Sequence, residues 1–267
     1  MSDYETLILE KRGPVDWLTI NRPDSLNTLN GQLVDDLNAY FAGLCEDDSV
    51  RVVVLKSEGR AFCAGLDLAD PGFVDEGKSG PPLVMSIQKR IGNIYRSMRR
   101  CPQPIISLVQ GAACGGGFSL ALASDIRIAG ESAKMNAAYI RAGLTACDMG
   151  CSYFLPRMVG ASVAAQYMLT GRFIYAEQAL QHGLVAEVVA DEQLEAAALP
   201  WIDDMLRNTP MGLRLTKEGL AHNIDAASLE AAMAMEDRQQ ALAALSADAR
   251  EAQTAFFEKR DPSYTDS

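Results

Sequence analysis

Residues 104–123 read P-Q-P-I-I-S-L-V-Q-G-A-A-C-G-G-G-F-S-L-A. An apolar, β-branched run enters a turn, three glycines follow (Gly115, Gly116, Gly117), and good helix formers come next. Glycine there gives the backbone unusual dihedrals and lets another group approach where a Cβ would stand. The start of a helix leaves orphan N–H groups and the positive end of its dipole. The pattern therefore predicts a strand-to-helix junction that either receives an anionic atom or packs backbone tightly on backbone. It is not a Walker A loop, because Phe118-Ser119 stands where Lys-Ser/Thr is needed. It is not a dinucleotide fingerprint either, because the glycine spacing is wrong.

A second segment, 59–68, reads G-R-A-F-C-A-G-L-D-L behind the apolar run Val52 to Leu55. Gly65 permits a sharp turn that can aim the Leu66 N–H into a cleft. Two backbone donors from separate segments are what an acyl oxyanion needs, and losing one costs about 3–4 kcal/mol of transition-state stabilisation.

Around these segments the chain alternates short strands with helices, then becomes wholly helical. Strands are predicted at 6–10, 16–20, 50–56, 104–110, 126–129 and 184–189, the first two forming a hairpin around Gly13-Pro14. Leu33, Leu37, Phe41 and Leu44 recur at helical spacing within 30–45, and Leu83, Ile87, Ile91, Ile94 and Met98 within 83–98. The stretch 69–82, rich in Gly, Pro and charge, reads as a mobile loop beside the site. After residue 191 helices are predicted at 191–207, 210–222 and 228–257, the last broken near Ser246-Ala247-Asp248. Met211, Leu213, Leu220, Met233, Met235, Leu242 and Leu245 then need cover, from the chain's own core or from another subunit. The architecture is α/β with an all-α extension.

Composition narrows the function classes. The 267 residues are 48% hydrophobic and 22% charged, as in a globular protein. A net charge of −11 argues against nucleic acid as a partner, while leaving room for an anionic ligand beside local cations. Cys45, Cys63, Cys101, Cys114, Cys147 and Cys151 lack framework spacing and read as reduced, mostly buried thiols. Cys147 and Cys151 have no nearby histidine to complete a zinc site, so no metal is expected. No signal peptide is visible at the N-terminus and no apolar run reaches the ~20 residues of a membrane span, so the expected location is cytoplasmic.

Together A-F-C-A-G-L-D-L, the 111–129 run G-A-A-C-G-G-G-F-S-L-A-L-A-S-D-I-R-I-A and L-P-R-M-V-G at 155–160 resemble the crotonase (enoyl-CoA hydratase/isomerase) superfamily. N-R-P-D-S-L-N-T-L-N at 21–30, G-R-F-I-Y-A-E-Q-A-L-Q-H-G-L-V at 171–185 and F-F-E-K-R at 256–260 extend the likeness, in the family's order, from about Leu7 to the C-terminus. The resemblance implies a crotonase-like spiral of ββα units over 1–200, carrying the coenzyme A and oxyanion sites. It implies a helical trimerisation region over 201–267, hence a homotrimer or a hexamer of two trimers. The oxyanion donors would be the N–H groups of Leu66 and Gly116. Ala64, Gly65, Asp67, Leu68, Gly115 and Tyr139 would line the substrate, and Lys259 would match a basic residue near a coenzyme A phosphate. The coenzyme A thioester would be the substrate, with no further cofactor.

The same resemblance shows departures. Family hydratases handle water with two glutamates, whose places here are Ser119 and Tyr139. General acid–base groups are commonly worth about 10²–10⁴ in rate, so ordinary hydration loses its machinery. Asp148 stands where related dienoyl-CoA isomerases carry a proton-transferring aspartate and aryl-CoA dehalogenases a nucleophilic one. The dehalogenase reading lacks its aromatic surroundings and activating base. Taken as a residue alone, Asp148 also suits the N-cap of a helix starting near Met149. The expected function is an acyl-CoA enzyme with Asp148 moving a proton. The alternatives are an acyl-CoA hydrolase or C–C lyase, and a non-catalytic acyl-CoA binder.

Overall fold

The structure is a computed structural model that describes residues 4–69 and 79–267. The loop expected at 69–82 falls mostly on 70–78, outside the described residues. The chain opens with a hairpin, β1 (Leu7–Arg12) against β2 (Val15–Ile20), turning at Gly13 with φ +62°. The further strands are β3 (Val52–Ser57), β4 (Ile105–Val109), β5 (Ala112–Cys114), β6 (Ile126–Gly130), β7 (Lys134–Asn136), β8 (Ile174–Tyr175) and β9 (Glu187–Val189). Among the described residues they form a six-stranded sheet, β1-β2-β3-β4-β6-β9, and a three-stranded sheet, β5-β7-β8. From β2 onward every pairing in the larger sheet is parallel. The chain repeatedly leaves one strand in the large sheet and the next in the small layer: β4 then β5, β6 then β7. Residues 61 and 63 follow β3 in the same way, bridging Gly111 and Ala113. This agrees with the expected ββα repetition.

A parallel sheet covered on both faces needs strands that are apolar throughout. Val15, Trp17, Val52, Val54, Ile106 and Leu108 face one core, while Leu18, Ile20, Val53, Leu55, Ile105 and Val109 face the other. The second of these cores receives α1 (Gly31–Gly43), whose Leu33, Leu37 and Phe41 are fully buried. Each such burial stabilises by about 1.5–3 kcal/mol. The Asn30 side chain caps this helix, accepting from Leu33 N at 2.9 Å. It also receives α2 (Gly80–Arg100) and α3 (Gly116–Ala123). The chain continues through α4 (Cys151–Val159), α5 (Ala161–Thr170), α6 (Ala176–Gln181) and α7 (Leu194–Leu206). Residue 200 lies inside α7, which presses Leu194, Ala198 and Ile202 onto the first core.

The tail comprises α8 (Pro210–Asn223), α9 (Leu229–Leu245) and α10 (Ala247–Glu258). The break expected near Ser246 is there: its Oγ accepts from Ala249 N at 3.0 Å and starts α10 as α9 ends. Buried Lys217 pins α8 to the body, donating to Met98 O (3.1 Å) and Gln103 O (2.7 Å) and pairing with Asp125 (2.9 Å). By contrast α9 buries none of its residues within the chain. Leu229, Met233, Leu242, Leu245, Phe256 and Phe257 are all exposed. These large apolar side chains of α9 and α10 therefore find no cover within the chain's own core.

Candidate functional site

The site is built where 61–67 runs between two other stretches of backbone. On one side Leu29 N donates to Gly65 O (2.8 Å) and Asp67 N to Leu29 O (3.0 Å). On the other, Cys63 N donates to Ala112 O (3.0 Å) and Cys114 N to Cys63 O (2.9 Å). Asn27 pins the approach: its Nδ2 donates to Glu58 O (2.8 Å) and Ala61 O (2.7 Å). The Leu29 pairing uses the groups flanking Leu66, which leaves the Leu66 N–H directed away from Leu29. Gly65 takes φ +111° at this point, and a Cβ on it would lie 3.2 Å from Cys114 O. Gly116 is the first residue of α3, so its N–H is one of the helix's orphans. Among the described residues neither the Leu66 N–H nor the Gly116 N–H has a protein acceptor.

Gly115 is set by its φ of +50°, and Gly116 and Gly117 by contact distances. A Cβ on Gly117 would lie 2.0 Å from Cys63 O, and one on Gly116 would lie 2.5 Å from Leu29 Cδ1 and 3.1 Å from Tyr95 Oη. Of the two readings left open by the glycines, tight backbone packing is thus satisfied by Gly117, while Gly116 keeps a free donor. Both can hold at once.

Ser119 and Tyr139 are buried and hydrogen-bonded to each other, Oγ to Oη at 2.7 Å. Burial pushes the Tyr139 hydroxyl well above the usual tyrosine range, although the Ser119 contact pulls the other way. The two hydroxyls thus satisfy each other in a buried setting. The Tyr95 hydroxyl is likewise raised by burial, and then by Tyr139, Cys63 and Asp148 nearby; it donates to Gly116 O at 3.1 Å. The thiols of Cys63 and Cys151 are pushed up to about 12, chiefly by burial. Cys101 and Cys114 are also buried, Cys45 and Cys147 are exposed, and all six are free thiols.

Asp148 is half-buried between Ala146 and Met149. Its Oδ1 accepts from Met149 N at 2.7 Å and from Gln88 Nε2, while its Oδ2 accepts from no donor among the described residues. Met149 sits at φ +47°, a left-handed conformation that costs a non-glycine residue on the order of 1 kcal/mol or more. The N-cap expectation is corrected: α4 starts at Cys151 with Gly150 as its cap, and Asp148 instead braces the turn before it.

The other expected site residues divide. Ala64, Gly65, Leu66, Gly115, Gly116 and Tyr139 come together at the junction of 61–67 with α3. Asp67 is occupied by Arg22 (3.2 Å) and Thr28 (3.2 Å) and so fastens the turn. Leu68 is exposed, and Lys259, at the end of α10, is an exposed residue whose side chain has no partner among the described residues. Sequence reasoning expected the acyl group to be lined from 69–98 and 139–153, which takes in Gln88 and Tyr95, but it singled out neither of them, nor Leu29. Gln88 and Tyr95 lie on a helix that was predicted, but its periodicity shows only which face is apolar. Beside them, a cavity of about 1250 Å³ lies between α2, α4 and the helices α8 and α9, with Gln88, Tyr95 and Met149 on its wall.

Residues 10–267 match the family model for enoyl-CoA hydratase/isomerase. A probable enoyl-CoA hydratase of Mycobacterium bovis is 40% identical over 263 residues, spanning 97% of this chain and 92% of its own. The 1,2-epoxyphenylacetyl-CoA isomerase of Escherichia coli is 36% identical over 248 residues, 93% of this chain and 94% of its own. An enoyl-CoA hydratase structure from Bacillus anthracis superposes with a TM-score of 0.91 at 30% identity, covering 98% of this chain and 100% of that one. Sequence and fold agree over nearly the whole length, and the chain belongs to the enoyl-CoA hydratase/isomerase family of the crotonase superfamily.

Proposed function

We propose that the protein moves a proton on an enoyl-CoA or related acyl-CoA thioester, shifting a double bond or adding or removing water by an unusual route. The observation that carries this reading is a pair of backbone donors beside a carboxylate oxygen, none of them with a partner among the described residues. The Leu66 and Gly116 N–H groups would receive the thioester oxygen as it gains enolate charge, in a setting where fixed donors need no reorganisation. Asp148 Oδ2 would take a proton from one carbon of the acyl group and return it to another, so that atoms balance in an isomerisation. The neutral Ser119–Tyr139 pair, standing where family hydratases hold carboxylates, favours isomerisation over ordinary hydration. The thioester supplies the reacting carbonyl, and the chemistry calls for no metal or prosthetic group. Among the described residues no helix is long and apolar enough to cross a membrane. The free thiols fit the reducing cytoplasm, where we place the enzyme.

A panel of acyl-CoAs, followed by mass spectrometry with an ultraviolet readout for isobaric double-bond shifts, tests the reading. Double-bond movement or water exchange without release of free CoA is expected. Thioester hydrolysis alone would replace it with the hydrolase reading.

The exposed apolar residues of α9 and α10 support assembly with further copies of this chain, as a homotrimer or a hexamer. Lys259 would then meet a coenzyme A phosphate within that assembly. Light scattering is expected to give a mass three or six times the 28.8 kDa of one chain; a monomer would refute this part.

A further inference from the structure

The cavity between α2, α4, α8 and α9 has a charge pattern opposite to that of the molecule. Among the described residues Lys89, Arg96, Arg99 and Arg157 line it, against the carboxylates of Asp125 and Glu236, in a chain of net charge −11. Arg99 is neutralised by Asp125 at 2.6 Å and Arg157 by Asp225 at 2.9 Å, and Glu236 accepts from Asn223 at 3.0 Å. Lys89 and Arg96 have no ion pair or hydrogen bond among the described residues. They stand seven residues apart on α2, two turns of one face, with Gly92 between them. A Cβ on Gly92 would lie 3.3 Å from an Arg96 guanidinium nitrogen, so the missing side chain leaves the guanidinium room to fold back against the helix. The surroundings are otherwise largely apolar, with Met85, Phe154, Met158, Leu215 and Ile224 among them.

The cavity starts beside the proposed chemistry, because Gln88, on its wall, donates to Asp148. From Gln88 to Gly92, where the Arg96 head lies, is four residues of helix, about 6 Å at 1.5 Å per residue. That span suits an acyl chain of a few methylenes beyond the reacting carbons. A guanidinium left without a partner on an apolar wall favours a planar anion that it can bind in bidentate fashion. We infer that the cavity takes the acyl group and that Arg96, helped by Lys89, selects a chain ending in a carboxylate. The inference rests on the acyl-CoA reading above and names its substrate class: thioesters of medium-length dicarboxylic acids. Arg96 is a specificity residue and takes no part in proton transfer.

Calorimetry with adipoyl-CoA, hexanoyl-CoA and free CoA tests this without depending on turnover. The wild-type protein is expected to bind adipoyl-CoA at least about ten-fold tighter than hexanoyl-CoA, the scale of one charge-assisted contact. Arg96→Met should abolish that preference while hexanoyl-CoA binding changes little, with an unaltered circular dichroism melt showing that the fold persists. Equal wild-type affinity for the two thioesters, or a preference that survives Arg96→Met and Lys89→Met together, would overturn the inference. Equal losses for all three ligands in Arg96→Met would assign the guanidinium to the phosphates of CoA and overturn it too. Failure of every CoA compound to bind would instead refute the acyl-CoA reading itself.

Discussion

Asp148→Asn is expected to lower kcat by about 10²–10⁴-fold, the usual worth of a positioned acid–base group, with KM changed only a few-fold. The substitution is nearly isosteric. The asparagine Oδ1 can still accept from Met149 N and from Gln88 Nε2, so the turn before α4 keeps both its fastenings. What is lost is the second oxygen, which has no donor among the described residues and is replaced by an amide nitrogen that cannot take a proton. Steady-state kinetics on the substrate from the panel would be paired with deuterium uptake from heavy water into the acyl group. Both should fall together. Full turnover in Asp148→Asn would remove this aspartate from the mechanism, and the free oxygen would then mark only the edge of a structural turn.

The second large effect is expected from a single methyl group at a residue that takes no part in the chemistry. In Gly117→Ala the new Cβ would start 2.0 Å from Cys63 O and 2.7 Å from Cys63 C. These are backbone atoms and cannot rotate away as a side chain would. The same carbonyl accepts from Cys114 N at 2.9 Å, so relief requires parting 61–67 from 112–117. Overpacking of this kind costs about 1–3 kcal/mol. A shift of about 1 Å between two donors that must meet one oxygen costs on the order of 10² in rate. The expected result is a lowered melting temperature and a kcat/KM reduced about 100-fold or more. Gly43→Ala is the control: a Cβ there meets nothing within 4 Å, and Gly43 sits in the last turn of α1, where alanine is favoured. Wild-type melting and turnover in Gly117→Ala would show that the two segments do not need this close approach.

Much of the architecture was legible because the governing patterns are local. The hairpin follows from two apolar runs around Gly13-Pro14, α1 from its three-and-four spacing behind Asn30, and the break between α9 and α10 from a serine at residue 246. The strands β5, β7 and β8 were not foreseen, since segments of two or three residues carry no periodicity. They pair with one another in the small sheet, β5 with β7 and β7 with β8, across separations that no local pattern shows. At the site, Gly65, Leu66 and Gly116 were marked by glycines whose role is steric and therefore visible in the chain. Gln88, sixty residues from Asp148, was not visible, because the hydrogen bond between them depends on α2 crossing the turn before α4.

The triple glycine and its A-G-L-D partner determined, from sequence alone, that two stretches of backbone could come close at a strand-to-helix junction, whether to offer donors or to pack on each other. The reason is that steric permission is a property of single residues. Tertiary structure alone decided that Gly117 serves the close packing while Gly116 keeps a free donor, since that depends on where Cys63 and Leu29 come to lie. It alone left Asp148 Oδ2 without a donor among the described residues, joined Ser119 to Tyr139, and placed Arg96 against Gly92 on the wall of a cavity. Each of these joins groups whose meeting is fixed by how helices pack on the sheets, which no short stretch of sequence encodes.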